Sequence, residues 1–310
     1  MKFPENREYL WPRSNLGWRT LFISKPASLS LKQQQLIIQQ GEDQIQFAVE
    51  DLSTLVLDTP QAQISGFLLS FLADNNVTLI TCDQKHLPNG ILCPFSNHSR
   101  FSEIVKLQSN WTEPFKKRCW QRIIHQKILN QSQVLIHVKS KTTGELLALA
   151  KLVKSGDPDN YEAQAARLYW KKLFGADFRR DPQSNELKNN ALNYGYAILR
   201  AALCRAITAH GLLPAFGLHH HSQLNAFNLA DDLIEPFRPV VDRKILEFSQ
   251  QLHFVELNKE YRAELVHLLY ETCLMGKQEV DLQNAMEAVV VSLVQATREK
   301  DHDLLEVPVL

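Results

Sequence analysis

Cysteine is sparse and scattered in this chain of 310 residues: Cys82, Cys93, Cys119, Cys204 and Cys273 make an odd set with no Cys-x-x-Cys pair. That pattern argues against a thiolate zinc knuckle and against a disulfide framework, and it suits reduced thiols in an intracellular protein. Long apolar runs are absent too. No stretch of about 18 apolar residues occurs, so no membrane-spanning helix is expected. The first residues, Met-Lys-Phe-Pro-Glu-Asn-Arg-Glu, lack the apolar segment of a secretory signal, and the expected location is the cytoplasm. Net charge is missing as well, because 34 basic residues face 34 acidic ones. A nucleic-acid surface on such a chain has to come from local clustering. No internal repeat and no low-complexity tract is visible. What remains is an ordinary globular composition, 45% hydrophobic and 22% charged, long enough for one large domain or two.

The N-terminal third reads as strands. Short β-prone runs at Trp18–Ser24, Leu36–Ile38, Ile45–Val49 and Leu55–Leu57 are separated by polar or turn residues. Ser65–Asn75 carries Phe67, Leu68, Phe71 and Leu72 on one helical stripe, and Val77–Cys82 reads as a buried strand. Pro88, Asn89, Gly90 and Pro94 mark loops.

Further on the period becomes helical. A long helix starts near Pro114, and Leu146–Val153 reads as helix before a break at Ser155–Asn160. Tyr161–Phe174 follows and is stopped by Gly175. The clearest helix, Asn193–His210, has Tyr196, Leu199, Leu203 and Ile207 on one face and Gly211 just past its end. Ala230–Ile234 begins another, with Asn228 as its cap and Pro236 in its first turns or at a kink. Residues 244–300 keep the helical pattern. The expected class is therefore α+β, a β-rich N-terminal domain followed by an all-α catalytic domain. The expected parts are an extension at 1–16, a β-rich domain at 17–98, a linker at 99–112, a helical domain at 113–300 and a tail at 301–310.

Three places offer chemistry. In Gly217-Leu-His-His-His221, adjacent histidines cannot all face one way, and on an extended segment His219 and His221 share a face opposite His220. The segment reads either as a metal-ligand site or as a polar loop after Pro214. In Leu229–Glu235, Asp232 and Glu235 are three residues apart and Asp231 and Glu235 four, so their carboxylates crowd one helix face. A cation relieves that repulsion; acids near a helix N-terminus also suit its dipole. Glu162 starts the helix after the break and allows the same two readings. Two carboxylates and an imidazole form a hard-to-borderline donor set suited to Mg²⁺ or Mn²⁺. Around them charge is local: from Arg167 to Arg205, eight basic residues oppose three acidic ones, a surplus of five. Arg167, Lys171, Lys172, Arg179 and Arg180, with Arg238 and Arg243 further on, are the candidates for phosphate contact; solvated helix faces would show the same residues.

Taken in order, Asn160-Tyr-Glu162-Ala-Gln-Ala-Ala-Arg-Leu-Tyr-Trp, Asn193-Tyr-Gly-Tyr-Ala, Gly217-Leu-His-His220 and Asn225-Ala-Phe-Asn-Leu-Ala-Asp-Asp232-Leu-Ile-Glu235-Pro-Phe-Arg-Pro resemble the CRISPR-associated adaptation integrases, the Cas proteins numbered one, in their type II-like form. Gly17-Trp-Arg-Thr, Ile80-Thr-Cys-Asp83 and Lys127-Ile-Leu-Asn-Gln131 extend the likeness. The resemblance implies Glu162, His220 and Glu235 as catalytic metal ligands, selecting His220 through Gly-x-x-His, with Asp232 as a further acidic position behind them. It implies an Mg²⁺- or Mn²⁺-dependent DNA endonuclease and strand-transfer enzyme that inserts spacer DNA into a CRISPR array for antiviral defence. Its implied partners are a second copy in a homodimer joined through the β-rich domain, a small ferredoxin-like CRISPR-associated adaptation protein, and double-stranded DNA. Ala163 stands where the family often has glycine, and residues 1–16 precede the family's usual start. The three ligand side chains are expected to converge within about 5 Å.

Overall fold

A computed structural model describes residues 17–94, 97–137 and 143–310; the extension at 1–16 lies outside the described residues. The strand-rich part holds β1 (Arg19–Ile23), β2 (Ala27–Lys32), β3 (Gln35–Gln40), β4 (Asp43–Ala48), β5 (Leu52–Leu57), β6 (Ala62–Ile64), α1 (Gly66–Asp74), β7 (Thr78–Cys82) and β8 (Pro88–Leu92). Two sheets result. One has the order β1-β5-β7-β8, parallel except for β8; the other has the order β4-β3-β2-β6. Every residue of β5 is buried, as a strand covered on both faces should be. Its alternation separates two cores: Leu55 and Leu57 join α1 and the second sheet, while Val56 faces the helices. In β7, Leu79 and Ile80 divide in the same way.

The rest is mostly helical: α2 (Phe101–Ser109), α3 (Glu113–His137), α4 (Thr143–Leu152), α5 (Tyr161–Phe174), α6 (Leu187–Ala209), α7 (Asn228–Leu233), α8 (Arg238–Ser249) and α9 (Lys259–His267), then the hairpin β9 (Thr272–Met275) and β10 (Gln278–Asp281), and α10 (Leu282–Glu299). Helix α6 is the central post, buried around most of its circumference and packed against α7, α8, α9, α10, β7 and β8. Gly195 allows its close approach to α8, since a Cβ there would meet Val241 Cγ1 at 2.5 Å.

The α+β class holds, with corrections in detail. Strand β2 alternates buried Ala27 and Leu29 with exposed serines but was not expected. The β9–β10 hairpin interrupts the region read as all helix, turning through Gly276 at φ +59°. Pro88–Leu92, read as loop, is strand β8, which accommodates its proline as the edge of a sheet can. The stretch read as a linker carries α2. The stretch read as a tail is docked: Leu305 is fully buried, and Val309 exchanges backbone hydrogen bonds with Leu274 at 2.9 Å. Helix α6 starts earlier than the stripe suggested, and Asn228 is the first residue of α7 rather than its cap. Pro236 falls between α7 and α8, where its missing N–H costs neither helix a bond.

Candidate active site

Glu162 is fixed by the break before α5. Asp157 and Asn160 both take positive φ, 49° and 54°. The Asp157 carboxylate then accepts the Tyr161 and Glu162 backbone N–H groups at 2.9 Å each, and Asn160 Oδ1 accepts that of Ala163 at 3.2 Å. The first-turn donors are thereby satisfied without the Glu162 side chain, which takes no part in the cap.

His220 is fixed by Asp232, whose carboxylate is buried beneath the loop after Gly217. Asp232 accepts the backbone N–H of Leu218 at 2.6 Å, of His219 at 3.0 Å and of His220 at 3.1 Å, and lies 2.7 Å from His220 Nδ1. A Cβ on Gly217 would stand 2.3 Å from His220 O and 2.7 Å from Asp232 Oδ2, so the loop closes only over glycine. A carboxylate can only accept, so Nδ1 carries a proton, and in the neutral imidazole the lone pair is on Nε2. The hydrogen bond to Asp232 raises the His220 pKa against the effect of burial. The three histidines diverge: His219 stacks on Trp120 at 4.2 Å, its pKa lowered by burial, and His221 Nδ1 turns back to His219 O. Asp231 is used elsewhere, paired to Arg200 and Asn225 at 2.7 Å each.

Glu235 lies between α7 and α8 and is 4% exposed. Arg238 Nε donates to its Oε1 at 2.9 Å. Lys127, from the middle of α3, places its ammonium 2.5 Å from Glu235 Oε2 and 2.6 Å from Glu162 Oε1. Burial pushes the Glu235 carboxyl up, but Arg238 and Lys127 outweigh it and hold the pKa down at about 2. Burial presses the Lys127 pKa down, and the two glutamates more than restore it. The two glutamates thus meet at one cation. Among the described residues, the group of three acids or imidazoles whose ligand atoms approach within 4.8 Å of one another is instead Asp301, His302 and Asp303. Glu162, His220 and Glu235 do not close to that degree, since Lys127 spans the glutamates and Asp232 holds the imidazole.

Beneath Arg238, the carboxyl of Asp242 is buried and accepts the hydroxyls of Tyr169 and Tyr196. Burial raises its pKa to about 7 even though both phenols and Arg238 act to lower it. The Tyr196 ring in turn packs under the Arg238 guanidinium at 4.5 Å. A small cavity of about 130 Å³ touches Lys127, Glu235, Arg238 and Asp242, and a cleft of about 560 Å³ opens beside His220, lined by Trp111, Phe216, Asn225 and Asn228.

The basic candidates divide. Arg167, Lys171, Lys172 and Arg179 are exposed. Arg180 is held by Asn189 and Asn193, Arg238 by Glu235, and Arg243 by Glu271. Lys127, Asp157 and Asp242 were not among the expected site residues. Lys127 left a signal, a lone lysine on the buried Ile123, Ile124 and Ile128 stripe. Asp157 and Asp242 left none.

A model of the family described as CRISPR associated protein Cas1 matches residues 21–272. The chain belongs to the Cas1 family. It is 40% identical over 295 residues to the CRISPR-associated endonuclease Cas1 of Neisseria meningitidis serogroup C (strain 8013), covering 94% of this chain and 96% of that one. Among solved structures, this Cas1 chain resembles a casposase bound to integration product with a TM-score of 0.74 at 17% identity, over 91% of each chain. It also resembles a Cas6-RT-Cas1–Cas2 complex with a TM-score of 0.74 at 18% identity, over 94% of this chain and 36% of that one. At such identities the likeness is one of fold. Among the described residues, no helix of the Cas1 chain is long and apolar enough to cross a membrane.

Proposed function

We propose that this Cas1 chain is a metal-dependent DNA endonuclease and strand-transfer enzyme that inserts spacer DNA into a CRISPR array, and that Glu162, His220 and Glu235 hold its metal. The observation that carries the proposal is the meeting of Glu162 and Glu235, from separate parts of the chain, on one cationic group. The donor set fits a hard divalent cation. Glu235 Oε2 is buried and takes no hydrogen bond beside its ion pair with Lys127. His220 has Nδ1 tied to a buried carboxylate, the arrangement that orients metal-binding imidazoles. The diverging rings of His219 and His221 argue against a zinc centre built on three histidines.

Bound there, Mg²⁺ or Mn²⁺ supplies a Lewis acid that acidifies the attacking hydroxyl and offsets phosphoryl charge. The chain's own residues do the positioning. Asp157 and the α5 cap hold Glu162, Arg238 holds Glu235, and Asp232 holds His220. In strand transfer, a 3′-oxygen of the incoming DNA bonds to the target phosphorus. The target's bond to its leaving 3′-oxygen breaks, and the proton of the attacking hydroxyl ends, through solvent, on that oxygen. Water in place of the 3′-hydroxyl gives cleavage from the same residues. The exposed Arg167, Lys171, Lys172 and Arg179 would grip phosphates without reading sequence. The complete assembly would contain a second copy of the chain, docked through the β-rich domain, and a small ferredoxin-like adaptation protein. The fold shared with a Cas1 complexed to Cas2 supports the latter.

The test is His220→Ala, assayed with Mn²⁺ on branched duplex DNA. Cleavage and strand transfer should both fall by more than about 100-fold while the circular dichroism and melting temperature stay near wild type. Undiminished turnover would contradict the assignment.

A further inference from the structure

Lys127 has no place in the proposed ligand set, yet it sits at the centre of it. An ammonium on this face of α3 is costly: Lys127 is 7% exposed, and Ile123, Ile124 and Ile128 around it are fully buried. Its only ion-pair partners among the described residues are Glu162 and Glu235, at 2.6 and 2.5 Å. Those carboxylates are the ones assigned to the metal, and metal–oxygen bonds run to roughly 2.0–2.6 Å. An ammonium and a divalent cation cannot hold the same two oxygens at these distances together.

We propose that Lys127 is a resident counter-cation, a positioning residue that holds Glu162 and Glu235 together and that a divalent cation must displace in order to bind. The inference rests on the metal reading of the site. Two observations select Lys127 rather than Arg238 as the group that moves. Arg238 is locked, with its Nε on Glu235 Oε1 at 2.9 Å and its guanidinium packed on the Tyr196 ring, whereas a lysine head turns on a flexible four-carbon stem. A cavity of about 130 Å³ borders Lys127 on the side of Gln131 and Asp242, so the displaced ammonium has space next to the site and stays near enough to meet a substrate phosphate.

Lys127→Met keeps the apolar stem and removes the competing charge. Its Mn²⁺ affinity, read by titration calorimetry or by the paramagnetic signal of free Mn²⁺, should be at least about tenfold tighter than wild type. Its melting temperature should be lower than wild type without metal and should rise more on adding Mn²⁺. A purely structural lysine would lower the melting temperature and leave Mn²⁺ affinity equal or weaker, and that result overturns the proposal. Lys127→Arg decides the matter if the methionine variant does not fold. A guanidinium fork holds two carboxylates more firmly, so Mn²⁺ affinity should drop at least about threefold; an unchanged or tighter value overturns the proposal. Failure of the metal reading itself looks different: wild type and variants alike would take up no Mn²⁺ that Glu162→Gln or Glu235→Gln abolishes, and the proposal falls with it.

Discussion

Asp232 shows how one buried carboxylate can order a loop and a side chain at once. It gathers three consecutive backbone N–H groups and the imidazole of His220. Replacing it with alanine strands those donors, each at about 1–3 kcal/mol, so Asp232→Ala should melt well below wild type. Asp232→Asn is the sharper probe, because an amide oxygen still accepts backbone bonds but no longer fixes the imidazole as a carboxylate does. Its Mn²⁺ affinity and turnover should fall by roughly 10–100-fold; a calorimetric affinity equal to wild type would remove Asp232 from the functional set. Asp242 carries a different signature. Burial lifts its carboxyl from the ordinary 3.8 to about 7. Between those values the folded chain keeps a proton that the unfolded chain has released, so stability falls as pH rises from about 4 to 7. The contribution is on the order of 3–4 kcal/mol across that window. Asp242→Asn carries no ionisable group and should flatten that part of the pH profile in urea unfolding. A slope identical to wild type would mean that Asp242 is ionised throughout.

Helix α5 joins the two halves of the proposed chemistry. Glu162 sits in its first turn, and Arg167 and Lys171, one turn apart on one face, lead with Lys172 toward its end, roughly 15 Å along the axis. All three are exposed, so replacing them together with glutamine should leave folding intact and weaken duplex binding. The slope of log affinity against log salt should shrink by about 0.9 for each phosphate that is no longer neutralised. An unchanged slope would take this face out of the interface. At this scale much was legible in the sequence. The long stripe of α6, the break before α5 and its Gly175 stop, the Ser65 start of α1, the short β-prone run in β5 and the buried run of β7 all follow from period and punctuation. The order of Glu162, His220 and Glu235 stood out because motifs survive in linear order. The β9–β10 hairpin was hidden because its strands have four residues each, too few to oppose the helical period on both sides. The partners that hold the site were hidden for another reason. The pairing of Lys127 with both glutamates, and of Asp242 with two phenols, exists only once α3, α5, α6 and α8 are packed together.

Across the whole molecule, the C-terminal stretch reaches the site through Asn130. One turn beyond Lys127 on α3, the Asn130 amide donates to Pro236 O at 2.7 Å and to Pro308 O at 3.0 Å, and its carbonyl accepts the Leu310 N–H at 3.3 Å. The residue after Glu235 and the end of the chain therefore share one side chain. Removing residues 301–310 takes away buried Leu305, its carbonyl bond to Arg122 at 3.1 Å and the pairing of Val309 with β9. The loss should be at least about 3 kcal/mol, as for deletion of a large buried aliphatic side chain. Turnover should fall too, by roughly tenfold per folded molecule, since sub-ångström misplacement of a catalytic group is expensive. Leu305→Ala separates the two effects, because it creates the cavity while leaving Pro308 and Leu310 on Asn130. Measured at equal folded fraction, the truncated chain should turn over more slowly than Leu305→Ala. Equal turnover would show that the C-terminal stretch contributes stability alone, and that Asn130 carries nothing from it to Glu235.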